Sequence, residues 1–418
     1  MGNEGSNMAR QPMSLATATS RGLVLDLIRM HGPISRVELA ERTGLTQATM
    51  SNVVRQLLID GLVLEAGRGE STGGKPRVLL GINPSSRFAI GIQLGADTIT
   101  YVVTNLGGSI VGRLRTKGAG DTRPADAVLA IGSQITSLIT SLGIDTDLIV
   151  GIGVVAPGPL DVDSGSVLAP PTLQSWSDFP IESALAEVTS LPVVLDNDAT
   201  AAAVGDFWSG AVANAAAHCS IYMGAGLGAG FVLGGTVYRG ASSNAGELGQ
   251  IRLYAAGSSG TSATIEEIAG PKAIAAHARA ALSAGRASTI VLADDGDPFS
   301  DFAAVASAAV RNDELARELI TDSAKSLADA VVAMANLLDL DSIVLSGPSF
   351  AVVGSLYLSI IRQRVDTEFV ARAKHGIRVQ LSPQLTDAAA VGGATLIMQK
   401  ILAPRQLGVV APVAVRGD

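Results

Sequence analysis

The chain has 418 residues, of which 47% are apolar and 16% charged, which excludes an intrinsically disordered chain and leaves room for two or three domains. Its net charge of −8 excludes uniform affinity for nucleic acid, although the first 80 residues carry nine Lys and Arg against seven Asp and Glu. The single cysteine, Cys219, excludes an intrachain disulfide and a multi-cysteine zinc site, and no apolar run or signal segment suggests a membrane partner, so we expect a cytoplasmic protein.

The first 80 residues predict a small helical domain behind a short lead-in. Residues 1–18 are small and polar, and we expect them to be disordered. An apolar stripe then predicts a first helix that stops before Pro33, and the pattern from Ser35 to Glu38 is a capping box that opens a second helix. Thr46 is in position to cap a third helix, so residues 19–80 begin with three helices.

The third helix pairs an apolar face with a polar face that suits DNA. Side chains on the polar face can reach base edges or phosphates, and they are Gln47, Thr49, Ser51, Asn52 and Arg55. Two predicted strands, 62–65 and 77–80, flank a Gly-rich tip that carries Arg68 and Lys75. We therefore predict a winged helix-turn-helix over residues 19–80. A generic helical bundle with a hairpin is less favoured, because the caps, spacing and wing occur together.

The rest of the chain predicts an α/β body in two lobes. After a linker at 81–88, a three-strand meander, a helix and a buried strand follow one another, and a similar succession recurs later. We place one lobe at 89–208 and the other at 209–402, with a cleft between them, a C-terminal helix able to return to the first lobe, and a tail at 403–418. The long predicted helix at 313–338 carries more apolar surface than one lobe needs, which favours a subunit contact.

Polar residues follow the buried strand at 193–195. Asp196, Asn197 and Asp198 stand just past its carboxyl end, where α/β layers bind ligands. The alternative is that Asn197 or Asp198 only caps the next helix.

Five ordered stretches give the body a family resemblance. They are IGIQLGA at 90–96, APGPLD at 156–161, NDATAAA at 197–203, GAGLGAG at 224–230 and GASSNAGELGQ at 240–250. In order and spacing they resemble the ROK family of repressors and sugar kinases, which implies the actin-like, ribonuclease H-like fold of sugar kinases. With the winged helix in front, the chain resembles a ROK transcriptional regulator of the N-acetylglucosamine and xylose repressor type.

The resemblance implies a set of sugar contacts. Asp198 matches the kinase general base, and Asn197 and Glu247 match side chains that bind sugar hydroxyls. Gly158 belongs to a loop of the same site, and Thr172 stands where the family has a sugar-binding Asn. Gln250 replaces a family His that touches sugar and ligates zinc, and an amide keeps only the first role. Glu266 aligns with another sugar-binding Glu, although a carboxylate favoured at a helix N-terminus is the alternative.

The metal and nucleotide motifs of the family are altered. Residues 257–264 contain no Cys or His where the family has a three-cysteine zinc loop, so we do not expect zinc. The family's Asp-x-Gly-Gly-Thr motif reads here as Gln93 to Asp97, which removes the carboxylate that organises magnesium and adds one that repels phosphate. The glycines of 224–230 survive. We therefore expect no ATP cofactor and no catalytic residue, with Asp198 a vestigial base.

These observations predict a sugar-responsive transcription factor that represses. Its partners would be operator DNA and a sugar or sugar phosphate, and it would act as a homodimer or a dimer of dimers. One alternative is an ATP-dependent hexose kinase with an appended DNA-binding domain. Another is a constitutive DNA-binding protein whose sugar pocket is vestigial.

Overall fold

A computed structural model describes residues 15–69, 77–120, 122–168, 172–210, 212, 214–254, 262–294 and 296–403. These residues form two compact units. The first reaches Ser86 and includes the chain from Gln399 onward, and the second is Arg87–Met398.

The first unit is a three-helix domain with a small antiparallel sheet. Its elements in chain order are α1 (Leu15–His31), β1 (Ile34–Ser35), α2 (Arg36–Thr43), α3 (Gln47–Ile59), β2 (Val63–Arg68) and β3 (Val78–Ile82). The strand order is β1-β3-β2, so the β2–β3 hairpin forms the wing. Apolar side chains of all three helices and of the sheet share one core.

Local chemistry sets the ends of α2 and α3. The Glu38 carboxylate accepts from the Ser35 backbone N–H at 2.9 Å, and the Ser35 hydroxyl accepts from the Glu38 N–H at 3.3 Å, which completes the predicted capping box. Gly44 ends α2 with φ +68°, a left-handed conformation that Gly adopts without strain. Thr46 accepts from the Thr49 N–H, as predicted for the N-cap of α3. These two helices therefore meet at the turn of a helix-turn-helix.

The structure differs from the predicted boundaries of this unit in three places. Helix α1 begins at Leu15, inside the predicted lead-in, and β1 was not predicted because two residues carry no pattern of their own. The predicted linker at 81–88 contains the end of β3, a 3₁₀ helix at Pro84–Ser86 and the start of the next strand. The wing tip, including Lys75, lies outside the described residues.

The second unit consists of two α/β lobes. The first contributes β4 (Phe88–Gln93), β5 (Thr98–Asn105), β6 (Ile110–Lys117), α4 (Pro124–Leu142), β7 (Ile149–Ala156), β8 (Leu160–Asp161), β9 (Ser166–Val167), α5 (Ile181–Thr189), β10 (Val193–Asn197) and α6 (Asp198–Trp208). The second contributes β11 (Ala217–Met223), β12 (Leu227–Leu233), β13 (Thr236–Tyr238), β14 (Arg252–Tyr254), β15 (Ser262–Thr264), α7 (Ile265–Ala269), α8 (Pro271–Ser283), α9 (Pro298–Val310), α10 (Glu314–Leu338), β16 (Ser342–Ser346), α11 (Phe350–Glu368), β17 (Arg378–Leu381) and α12 (Ala388–Leu402).

The two main sheets repeat one topology. Their strand orders are β6-β5-β4-β7-β10 and β13-β12-β11-β16-β17, and in each an antiparallel meander is followed by two parallel strands. Carboxyl ends of parallel strands collect at one edge of each sheet, which is where α/β folds place ligands. The predicted pair of similar lobes is confirmed.

Two helices pack on the sheet of the opposite lobe. Helix α6 was assigned to the first lobe, but it packs against β11 and β12, with Ala203 and Phe207 beside Val232 and Val344. Helix α12 packs on the first sheet, where Ala390 and Val391 contact Val102. Proximity along the chain misled the prediction for α6, because its Ala-rich surface gives no information about which sheet it covers.

The apolar faces of helices α4 and α10 are buried in the cores of the two lobes. Helix α4 has 19 residues and is apolar enough to cross a membrane by length and composition, but its buried face, including Ile131 and Ile135, packs in the core of the first lobe. The apolar face of α10 lies in the core of the second lobe, where Cys219 is also fully buried. Leu337 is the large apolar residue of α10 that is exposed, so the helix offers less apolar surface than predicted.

Candidate binding sites

Asp196 anchors the carboxyl end of β10 across the cleft. This carboxylate is 2% exposed and accepts from both guanidinium nitrogens of Arg239, at 2.8 and 2.6 Å. It also accepts from the Asn197 backbone N–H at 2.8 Å. A bidentate ion pair of this kind fixes orientation as well as position. Sequence reasoning did not identify Arg239, because its partner stands 43 residues away.

Asn197 is the N-cap of α6 and still presents a donor. Its Oδ1 accepts from the N–H groups of Ala199 and Thr200 at 2.9 and 3.2 Å, so the capping interpretation holds. Its amide nitrogen points elsewhere, to within 3.2 Å of where a Cβ on Gly158 would lie. Capping therefore orients Asn197 without using the amide group that could donate to a hydroxyl.

Gly158 is the meeting point of two loops. A Cβ there would lie 2.9 Å from Glu247 Oε1, so any side chain would displace Glu247 or the loop. Asn244 joins the loops, since its Oδ1 accepts from the Leu160 N–H at 2.8 Å and its amide donates to the Leu160 carbonyl at 2.9 Å. Gly158, Asn197 and Glu247 are thus brought together in the folded chain.

Three carboxylates lie within electrostatic reach of one another. Burial raises the pKa of Asp198 to about 7, and the nearby charge of Glu247 adds to the effect. Desolvation in the cleft and the charge of Glu266 raise the pKa of Glu247, although its side chain keeps access to solvent. Glu266 Oε2 accepts from the Leu227 N–H at 3.1 Å. In the part of the chain that the structure describes, none of the three forms an ion pair with a cation. Carboxylates beside amides suit a polyol, because both accept from hydroxyls and amides also donate.

The other predicted sugar contacts are less closely tied to this group. Gln250 is exposed and ends the 3₁₀ helix Leu248–Gln250, which begins directly after Glu247. Thr172 is half-buried, and within the described ranges no hydrogen bond joins it to Asn197 or Glu247. Trp176 is fully buried with its indole N–H 3.4 Å from the Ala119 carbonyl, so it belongs to the core and does not offer a face for stacking on a sugar.

Gln93 forms a hydrogen bond between the two lobes. Gln93, at the end of β4, donates to the hydroxyl of Tyr222 on β11 at 2.5 Å. Tyr222 is 2% exposed and packs among Val155 and the alanines that begin α6 and α12. Burial raises the pKa of its hydroxyl far above the ordinary value. The hydrogen bond therefore joins the two lobes at the base of the cleft.

Helix α3 presents its predicted polar face to solvent. Gln47, Thr49, Asn52 and Arg55 are exposed and Ser51 is half-buried, while Met50, Val53, Val54 and Leu57 on the other side are in the core. The Thr49 hydroxyl lies 3.0 Å from that of Thr46, so it takes part in the N-cap. Arg68 is exposed at the end of β2. The arrangement suits insertion of the helix into a major groove.

Comparisons with known proteins match both units of the chain. The ROK family model matches residues 89–401, and the MarR family model matches residues 19–64. A putative xylose repressor of Caldicellulosiruptor sp. is 29% identical over 91% of this chain and 96% of its own length, whereas a glucokinase of Halalkalibacterium halodurans, 28% identical, covers 76% of this chain and 96% of its own length. The crystal structure of a ROK family transcriptional regulator, a homologue of the E. coli MLC protein, has the same fold, with a TM-score of 0.75 at 24% identity over 93% of this chain and 97% of its own. The repressor thus aligns with both units.

Proposed function

The chain belongs to the ROK family, and on this premise we propose that it is a sugar-responsive transcriptional repressor. Its winged helix-turn-helix binds operator DNA, and the cleft of its body binds the sugar that controls the repressor. The observation that carries the proposal is the presence, in one chain, of the exposed polar face of α3 and the convergence of Asn197 and Glu247 at Gly158, with Asp198 in electrostatic reach of Glu247.

We propose further that the body no longer transfers phosphate and works without zinc or ATP. Phosphoryl transfer depends on positioning and on charge neutralisation by a metal ion. Gln93 carries no charge, and its amide is engaged with Tyr222. Asp198 keeps the carboxylate of a base, but a base without an organised metal and phosphate contributes only a small part of the rate enhancement.

DNA binding would involve two copies of the chain. A helix-turn-helix reads a half-site of a few base pairs, so affinity and specificity are gained when a homodimer, or a dimer of dimers, spans a palindromic operator. Sugar in the cleft then favours one arrangement of the lobes, and a change in the spacing of the reading helices weakens the fit to both half-sites. Operator DNA as partner places the protein in the cytoplasm.

The decisive experiment measures operator affinity with and without sugar. Genomic fragments upstream of the chain's own gene and of neighbouring sugar genes serve as DNA, with xylose, glucose and N-acetylglucosamine as candidate effectors. A repressor should release operator DNA in the presence of one sugar. Unchanged operator affinity with every sugar and sugar phosphate would contradict sensing and leave a constitutive DNA-binding protein.

An active sugar kinase is the second candidate, because Asp198 is retained and a glucokinase is among the relatives. A coupled assay of ADP release over a panel of hexoses distinguishes the two. Turnover near or above about 1 s⁻¹, which is ordinary for kinases, would establish the kinase and contradict a body that only senses.

A further inference from the structure

The glycine turn between β11 and β12 has lost the open surface that a phosphate needs. A phosphate binds to such turns by approaching glycine backbone closely and accepting from free N–H groups. Here a Cβ on Gly224 would lie 3.0 Å from a ring carbon of Tyr222, so the phenol covers this glycine. A Cβ on Gly226 would lie 2.9 Å from Glu266 Oε2, so a carboxylate covers the next one.

Two donors of the turn are also engaged. The Gly224 N–H donates to the Gly226 carbonyl at 3.1 Å, and the Leu227 N–H donates to Glu266 at 3.1 Å. A phosphate oxygen that accepts from the Leu227 N–H would therefore have to displace a carboxylate. That exchange is unfavourable, because it brings two anions together.

The charges around the cleft repel a second anion as well. Asp198, Glu247 and Glu266 contribute three carboxyl groups, and Asp97 adds an exposed carboxylate in the turn that follows Gln93. Arg239 is held by both oxygens of Asp196, while Arg113 and Arg115 on β6 both pair with Asp387. Arg239 is therefore neutralised by Asp196, whereas Asp387 balances one of the two positive charges of Arg113 and Arg115, so a phosphate ester would have to share each of these cations with a buried aspartate.

From this geometry we propose that Tyr222 is a specificity residue that closes the phosphate side of the sugar site, and that the effector is an unphosphorylated sugar. The inference rests on the proposed sugar-sensing function and sharpens it. The Gln93 amide holds the Tyr222 hydroxyl, and Val155, Ala199 and Ala388 pack around the ring, so the phenol has no space to swing aside. A sugar can place a hydroxyl against Asp198, but a phosphoryl group on that hydroxyl would meet the ring and Glu266.

The test compares matched pairs of ligands on the full chain by thermal shift and calorimetry. The pairs are glucose with glucose 6-phosphate and N-acetylglucosamine with N-acetylglucosamine 6-phosphate, with xylose, inorganic phosphate and a non-hydrolysable ATP analogue as further probes. We expect the unphosphorylated member of a pair to bind at least about tenfold more tightly. A phosphorylated member that binds as tightly as its parent, or more tightly, would overturn the proposal.

Two variants distinguish the effect of the Tyr222 ring from that of its hydroxyl. Tyr222→Phe keeps the volume of the side chain and should still exclude the phosphorylated member, whereas Tyr222→Ser removes the ring and should narrow the preference toward equal binding. If Tyr222→Ser does not fold, Tyr222→Leu replaces the ring with a smaller apolar side chain and should narrow the preference for the unphosphorylated sugar in the same direction. An unchanged preference in Tyr222→Ser or Tyr222→Leu would show that Tyr222 does not set it. Failure of all sugars, phosphorylated or not, to bind the parent chain would instead refute sugar sensing itself.

Discussion

Asp198 combines its proposed place in the sugar site with an unfavourable setting for its own charge. Its pKa is raised by burial to about 7 in the folded chain, whereas in an unfolded chain it stays near the ordinary value of 3.8. Between these two values the folded state keeps a proton that the unfolded state releases, so the contribution to stability is full below about pH 4 and is lost as pH rises to about 7. The proposed role in sugar binding would account for a carboxylate in this setting.

The Asp198→Asn substitution should therefore stabilise the protein at pH 8 and change little at pH 4. We expect Tm to rise by a few degrees at pH 8, since each kcal/mol corresponds to about 2–4 °C in a domain of this size. Differential scanning calorimetry between pH 4 and 8 measures it, with the exposed Asp366→Asn on α11 as the control. Some pH dependence should remain, because burial also raises the pKa of Asp206 to about 6. An Asp198→Asn protein that melts lower than the parent at pH 8 would contradict the assignment.

Glu247 should be required for the response to sugar but not for operator binding. Glu247→Ala removes the carboxylate that faces Gly158, so we expect the sugar-induced thermal shift and the release of operator DNA to disappear. Operator affinity in the absence of sugar should stay within about twofold of the parent value. Glu187→Ala, on the exposed side of α5, provides a matched control that should respond as the parent does. Retention of the full sugar response would remove Glu247 from the site.

At this scale the sequence predicted which residues come together better than it predicted the residues that support them. Asn197, Asp198 and Glu247 follow from short motifs, and the chain does bring them together. Arg239 and Asn244 hold the same site, yet their partners are a buried aspartate 43 residues away and a backbone 84 residues away. Such pairs depend on which strands become neighbours, and residue type and local spacing give no information about that.

At the scale of elements, the most specific prediction concerns the exposed polar face of α3. Asn52→Ala and Arg55→Ala should each weaken operator binding by roughly 1–3 kcal/mol, the range for loss of a good base contact. Fluorescence anisotropy at fixed salt measures this, since the phosphate contribution changes with ionic strength. Lys325→Ala on the exposed side of α10 removes a cation from the body and should leave affinity unchanged. Equal losses of affinity for operator and for random DNA would show that these side chains contact the DNA backbone and not the bases.

Element ends were predictable where local chemistry sets them. The capping box at Ser35 and the N-cap at Thr46 depend on side chains three residues apart, so both could be predicted from the sequence. The sequence pattern at 265–282 predicts one helix, whereas the structure has α7 and α8, and Pro271 at the start of α8 is the signal that marks the break. Strand β1 exists through its pairing with Leu79 and Leu80, a contact that no local pattern contains.

For the molecule as a whole, we expect two unfolding transitions that respond to different ligands, because the two units have separate cores. Calorimetry of the full chain should resolve unfolding of the first unit from that of Arg87–Met398. Saturating sugar should raise the transition of the larger unit, by about 2.7 kcal/mol at a hundredfold excess over Kd, and operator DNA should raise that of the smaller unit. A sugar that stabilises only the smaller unit would place the effector site outside the cleft.

The overall architecture was predictable because it is repeated. Meander, helices and parallel strands recur in the same order in both halves of the body. Such a repetition can be recognised even where the predicted ends of individual elements are wrong. The return of α12 to the first lobe was anticipated, whereas the packing of α6 on the second sheet was less accessible. Helices that cross between sheets are placed by packing in three dimensions, and an Ala-rich helix such as α6 can be buried against almost any flat surface.

The complete burial of Cys219, the single cysteine of the chain, has a practical consequence. Burial raises the pKa of its thiol, so the reactive thiolate is scarce and shielded. The unsubstituted chain should therefore react little with maleimide reagents. In the proposed dimer, a cysteine introduced at Arg68 would carry a spin label or fluorophore on each wing, and the distance between the two labels would report whether the DNA-binding domains move as sugar is titrated.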